Sequence, residues 1–355
     1  MLGYILFFVL IAWCLTVKRQ ERALILAFVI ITLFSALRYG IGYDFYSYLV
    51  SCMPYSYIGE RFEYIPRQIV ILSQATTPYL FFVLTSFFIS AFYYLGIRKG
   101  GRDYRFEMLW YLGFPFLFFN QLGVIRQGMA TSVIFFAITM WRTNSRNWKL
   151  FLIEFLLIVV AILCHQSAYV AFFILIPWEK ISKAHLWVMF IGSFFIGSVA
   201  PIIGDVVTMG FLDEEASESA LRYLNKDAHG EGKMIKWLIY FVGVMALYFY
   251  DRLAKLDKKN KYYIGVLIMG VSLFALFSYN SSISKRLCMF YFTASIFIVP
   301  ELAKQIRMSK NVYVSLCALL FVLQIYISSS NTRPQDEPGC SVSYPYRTWV
   351  ERILK

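Results

Sequence analysis

The sequence predicts an all-α polytopic membrane protein of about 12 transmembrane helices with both termini on the outer side. Three observations carry that prediction. The chain has 355 residues, 59% of them hydrophobic, and a mean hydropathy of +0.60, whereas ordinary soluble domains are roughly half apolar. Apolar runs of roughly 15–20 residues recur along its whole length. The net charge of +13 gathers in short polar breaks on alternate sides of those runs.

The runs predict spans at 2–17, 23–37, 79–97, 106–122, 124–141, 149–164, 166–178, 185–204, 235–250, 262–278, 286–300 and 311–328. No positive charge precedes the first run, and Lys18, Arg19 and Arg22 follow it. That is the reverse of a signal peptide's charge order, so a retained span is expected. The seventh run, from Gln166 to Pro177-Trp178, is short enough to be re-entrant, and charge decides for crossing. If all twelve cross, the inner segments near 18–22, 98–107, 142–154, 179–184, 251–261 and 301–310 hold 20 of the 34 basic and eight of the 21 acidic residues. The outer side keeps 14 basic and 13 acidic residues. Without the seventh crossing, Arg252, Lys255, Lys258, Lys259 and Lys261 would lie outside, against the positive-inside rule. The positive excess is therefore a topology signal and not a nucleic-acid footprint.

A single integral membrane domain over 1–355 follows, with outer segments at 38–78, 205–234 and 329–355. The first is rich in tyrosine. The second opens on Asp213, Glu214, Glu215 and Glu218, with a short helix predicted through Leu224 and a turn at His229-Gly230-Glu231-Gly232. The third carries an amphipathic end at Tyr346–Leu354. The six cysteines show no CxxC spacing, and Cys14, Cys164, Cys288 and Cys317 lie inside apolar runs, as buried thiols do. With three scattered histidines, the sequence predicts no metal site and no cofactor.

Polar residues at the outer helix ends carry whatever chemistry the chain has. After the second span, ALRYGIGYDFYSY (Ala36–Tyr48) brings Arg38 and Asp44 to a depth where charge needs a partner or a task. Its glycines, Gly40 and Gly42, allow a tight turn. A plain interfacial loop with a tyrosine belt is the simpler reading of this stretch. Asn120, Gln121, Arg126 and Gln127 lie at the turn between the fourth and fifth spans. His165, Gln166 and Ser167 lie at the turn between the sixth and seventh, and Tyr279, Asn280, Lys285 and Arg286 lie between the tenth and eleventh.

Arg38, Arg126 and Arg286, on the side where positive charge is sparse, point to a bound anion such as pyrophosphate, which arginine grips bidentately. Snorkelling to the headgroups is the alternative. His165 suits general-base work, with a hydrogen-bonded structural histidine as the alternative. Asp44 is the competing base, weakened by Arg38 beside it. Glu60 and Glu63 are further candidates for that base, with solvated loop charges as the simpler reading. The tyrosines of 39–64, among them Tyr43 and Tyr46, can stack on sugar rings or form an aromatic belt.

Taken in order, these stretches resemble the EpsG-like family of Wzy-type O-antigen, capsule and exopolysaccharide polymerases. Arg38-Tyr39-Gly40-Ile41-Gly42-Tyr43-Asp44-Phe45-Tyr46 is similar to the family's R-x-G-x-G-x-D-(Y/F)-x-x-Y. NQLGVIRQGMA (Asn120–Ala130), His165-Gln166-Ser167-Ala168 and Arg286 ahead of Tyr291 follow. Ile41 stands where the family often has a small polar residue. The resemblance implies a GT-C-related helical fold in the bacterial inner membrane with a periplasmic active face. It implies transfer of a growing glycan from undecaprenyl pyrophosphate to the non-reducing end of a lipid-linked repeat unit.

On that reading Arg38, Arg126 and Arg286 neutralise the leaving pyrophosphate, and His165 or Asp44 accepts the proton. Asn120, Gln127, Lys285, Tyr43, Tyr46 and Tyr279 would contact pyrophosphate or glycan. The implied partners are undecaprenyl-pyrophosphate-linked oligosaccharide and the bilayer, with a chain-length regulator and other glycan-assembly membrane proteins left open. The alternatives are a flippase of lipid-linked oligosaccharide, an O-antigen ligase-like glycosyltransferase, or an acyltransferase. A flippase is expected to show related halves and a polar path through the membrane middle, and neither is visible here.

Overall fold

A computed structural model describes residues 2–57, 62–115, 117–140, 148–211, 233–329, 342 and 345–353. Residue contacts divide the chain into two compact units. The first comprises Met1–Trp141, Asn147–Tyr169 and Arg307–Lys355, and the second Arg142–Arg146 and Val170–Ile306.

In the first unit, α1 (Leu2–Thr16) packs on α2 (Gln20–Leu37), whose end runs directly into β1 (Arg38–Tyr39). The chain then folds into α3 (Phe45–Ser51) and α4 (Tyr64–Gln74) before the long apolar α5 (Leu80–Gly100). Pro66 sits in the first turn of α4, where its missing N–H has no intrahelical partner to lose. α6 (Tyr104–Gly113), α7 (Phe118–Gly123), α8 (Ile125–Met140) and α9 (Trp148–Cys164) follow. α5 packs on both α2 and α8, α8 packs on α9, and α4 lies against α5 and α9. Aromatic rings fill the interior. Phe7 meets Phe34 at 4.3 Å and Tyr93 stacks on Tyr111 at 4.3 Å between centroids.

In the second unit, a 3₁₀ stretch at Gln166–Leu175, begun in the first unit, leads to α10 (Lys183–Phe211). Then come α11 (Lys233–Tyr248), α12 (Tyr250–Leu256), α13 (Lys259–Leu276), α14 (Ser281–Phe292) and α15 (Ser295–Gln305). The nearly fully buried α13 is the axis on which α10 and α14 pack. The chain then returns to the first unit as α16 (Lys310–Ser329), which packs on α6.

The apolar runs lie where the sequence puts them, but several do not form straight spans. Among the described residues, three helices are long and apolar enough to cross a bilayer, and two bent pairs raise the number to five. The predicted 106–122 span breaks into α6 and α7 around Pro115, which forces Phe114 into an extended conformation at φ −77°, ψ 119°. The 166–178 run is a ten-residue 3₁₀ helix, about 20 Å long, against a hydrocarbon layer of about 30 Å. The 235–250 and 286–300 runs lie in helix pairs that each bend by 69°. Hydropathy sees composition, whereas a straight span also requires an unbroken ladder of i→i−4 bonds.

The described end of the C-terminal segment opens on a strand. β2 (Arg347–Thr348) pairs antiparallel with β1, with Arg38 opposite Thr348, and the short α17 (Val350–Ile353) follows. Trp349 donates from Nε1 to the Ala36 carbonyl at 2.8 Å, and Tyr346 from its hydroxyl to the Phe34 carbonyl at 2.7 Å. The rest of the predicted outer segment 205–234 beyond Phe211 and before Lys233, and with it the turn at His229–Gly232, lies outside the described residues.

Candidate functional site

The motif turn after α2 is held from three sides. Gly40 and Gly42 adopt φ of +72° and +101°. A Cβ on Gly42 would stand 2.2 Å from the Leu122 carbonyl oxygen, so only glycine fits. The Gly42 N–H donates to the Val342 carbonyl at 2.9 Å.

Arg38 is only 2% exposed. Its guanidinium donates to the Ser35 carbonyl, to the Ile41 carbonyl at 3.3 Å, to the Ser86 hydroxyl at 3.3 Å and to the Leu122 carbonyl at 3.4 Å. It also lies 5.4 Å from the Phe82 ring centroid. This departs from the expectation of a pyrophosphate ligand: the guanidinium ties α2, α5 and α7 together through neutral acceptors. The rest of the motif is peripheral to it. Tyr43 is 66% exposed, Asp44 is half-buried at the N-cap of α3, and Tyr46 packs edge-on against Tyr39.

Arg126 has different company. It lies in the first turn of α8, where Asn120 through Gln127 form the connection from α7. Its Nη1 donates to Glu63 Oε2 at 2.7 Å, its guanidinium also donates to the Tyr48 hydroxyl, and its guanidinium carbon lies 5.2 Å from the Phe62 ring centroid. The other oxygen of the same carboxylate, Oε1, receives His165 Nδ1 at 2.7 Å and the Gln166 backbone N–H at 3.1 Å. His165 directly follows α9, and Glu63 occupies the N-cap of α4. An acidic N-cap ordinarily accepts from its own helix. Here the side chain makes no such bond and turns to α8 and α9 instead. All three side chains keep between 17% and 22% of their surface exposed.

Burial works against the Glu63 charge, but the His165 hydrogen bond, the Arg126 charge and the Gln166 N–H outweigh it. Together they pull its pKa from 4.5 down to about 2. The carboxylate is therefore ionised at neutral pH.

The structure thus joins two of the predicted site residues, Arg126 and His165, through Glu63, a further candidate for which the sequence favours a solvated loop charge. Glu63 offers no local signal, since its two partners come from helices distant in sequence. Glu60, read in the same way, lies outside the described residues. Gln127 is buried in α8, and Asn120 is half-buried with its carbonyl accepting from Val124. Gln121 bridges the Tyr93 and Tyr111 hydroxyls.

In the second unit, Asn280 caps α14 by accepting from the Ile283 N–H at 3.0 Å. Tyr279 precedes it, Lys285 is half-buried and Arg286 is exposed on the first turns of that helix.

A half-buried cluster of one carboxylate, one guanidinium and one imidazole can bind an anion, orient a hydroxyl and accept a proton. The model of the EpsG family matches residues 21–346, which takes in the motif turn, Glu63, Arg126, His165 and the second unit. No curated protein and no solved structure matches the chain at a significant level. The chain belongs to the EpsG family, a family of polysaccharide polymerases.

Proposed function

We propose that this EpsG-family chain polymerises glycan at the periplasmic face of the bacterial inner membrane. It would move the growing chain from undecaprenyl pyrophosphate to the non-reducing end of a lipid-linked repeat unit. The observation that carries this reading is the convergence of Arg126 and His165 on one half-buried carboxylate. An outer N-terminus and six crossings before His165 would put the start of α8 and the end of α9 on that face.

A hydroxyl of the acceptor sugar attacks the anomeric carbon of the donor. The bond from that carbon to the pyrophosphate oxygen breaks, its electron pair leaves with undecaprenyl pyrophosphate, and the hydroxyl proton passes to His165. Arg126 stabilises the charge that develops on the leaving group, often the largest single contribution to such catalysis. Asp44 remains the competing base. Arg286 and Lys285 keep a proposed role toward pyrophosphate, and Tyr43, Tyr46, Tyr279, Asn120 and Gln127 toward glycan or pyrophosphate. Arg38 acts one step back, by shaping the turn. Metal is not called for in this scheme, because guanidinium supplies the positive charge.

The test is polymerisation of synthetic undecaprenyl-pyrophosphate repeat units by purified protein in nanodiscs, resolved by chain length on a gel, with and without EDTA. The expected result is an EDTA-resistant ladder that fades in Arg126→Ala, His165→Ala and Arg286→Ala. Transfer of the same lipid across vesicles with no ladder would replace the polymerase by a flippase. A single addition to a different lipid acceptor would indicate a ligase.

A further inference from the structure

Glu63 stands outside the residues assigned above, and its geometry goes beyond pairing charge with Arg126. The two carboxylate oxygens have separate tasks: Oε2 faces Arg126, while Oε1 takes both His165 Nδ1 and the N–H of Gln166. An ionised carboxylate can only accept hydrogen bonds, so Nδ1 must carry the hydrogen. Because Oε1 also grips the backbone of the next residue, the imidazole plane is fixed relative to its own chain. The His165 side chain keeps 17% of its surface exposed, so the ring stays open to a partner.

We propose that Glu63 is a positioning residue: it holds His165 as the Nδ1–H tautomer and leaves Nε2 as the nitrogen that receives the acceptor hydroxyl's proton. The tautomer follows from the contacts of an ionised carboxylate, and only the proton's destination rests on the polymerase reading. The negative charge of Glu63 also stabilises the imidazolium formed when Nε2 takes that proton. Arg126, bound to the other oxygen, keeps the carboxylate from rotating away.

A substitution that preserves size tests this sharply. In Glu63→Gln one end of the side chain becomes a donor. Arg126 is charged and has only donors, so the amide oxygen should turn to Arg126 and the NH₂ to Nδ1, at the cost of the bond from the Gln166 N–H. The tautomer then inverts, and Nε2 carries the hydrogen. The experiment is nitrogen NMR of histidine-labelled protein in nanodiscs at about pH 8, above the ordinary histidine range. The His165 signals are assigned by their loss in His165→Gln, and chain-extension kinetics are measured on the same samples.

The expected result is a protonated Nδ1 and bare Nε2 in the wild type, inverted in Glu63→Gln. The kcat of that variant should fall on the order of 10²-fold with KM little changed. Glu63→Asp, which keeps the carboxylate, should restore the wild-type tautomer and part of kcat. A bare Nδ1 in the wild type overturns the proposal without any variant. So does an unchanged tautomer, or an unchanged kcat, in Glu63→Gln. A wild-type protein that forms no polymer while showing the Nδ1–H tautomer overturns the polymerase reading and leaves the positioning intact.

Discussion

Arg38 and Arg126 stand at neighbouring places in the first unit, and their sequence contexts suggested one shared role. Their surroundings differ in kind. Arg38 is buried among backbone carbonyls and a serine hydroxyl, acceptors that cannot leave without undoing the turn. Arg126 is partly exposed and held by a carboxylate, an anionic acceptor of the kind a phosphate oxygen also offers. A guanidinium saturated by neutral backbone organises a fold, whereas a partly exposed one already matched to an anion suits a charged substrate. Charge at membrane depth has both uses, and the identity of the acceptors tells them apart.

Substitutions should separate the two arginines. The largest effect on folding is expected from Arg38→Ala, which leaves the Ser35, Ile41 and Leu122 carbonyls without their donor. A loss of about 4 kcal/mol is expected from orphaning such buried acceptors, seen as a collapse in yield and in thermal midpoint by intrinsic fluorescence. A wild-type midpoint in that variant would return Arg38 to the group of candidate ligands.

Arg126→Ala is the mirror case. Chain extension should slow by about 10²–10³-fold, the usual result of removing one charge-stabilising donor, while the thermal midpoint moves little. Next, Gly42→Ala should cost about 2–3 kcal/mol, because the new methyl meets the Leu122 carbonyl on a left-handed backbone. It would thereby weaken the Arg38 turn without touching a charge.

The smallest expected effect is in pH. The Glu63 carboxyl titrates lower when folded, about 2 against an ordinary 4.5. Its stabilisation is therefore complete above about pH 4.5 and is lost as pH falls toward 2. The gap in thermal midpoint between wild type and Glu63→Gln should narrow over that acidic window and stay constant above it. A gap unchanged through the window would mean that the carboxylate is not held by Arg126 and His165.

Much of this protein was legible in one dimension. The apolar runs located the helices, because burial and lipid both demand long unbroken hydrophobic stretches. The motif glycines read correctly as turn-formers, because positive φ is chiefly a glycine property, and Arg126 and His165 stood out as polar groups at helix ends. Helix continuity was less legible. The break at Pro115 had a local cause that composition averaging hid, whereas the 3₁₀ stretch Gln166–Leu175 and the breaks at the two 69° bends contain neither proline nor glycine.

The sequence by itself determined the helical membrane class, the turn at Gly40 and Gly42, and a set of polar residues at helix ends, since each follows from side-chain chemistry read over a few turns. Only the tertiary structure decided which of those residues meet. It paired the Arg38 backbone with a strand from the far end of the chain, and it turned Glu63 away from its own helix toward Arg126 and His165. Those pairings join segments far apart in sequence, and no local periodicity encodes them. They form because a buried donor or carboxylate must find a partner wherever the packed helices bring one within about 3 Å.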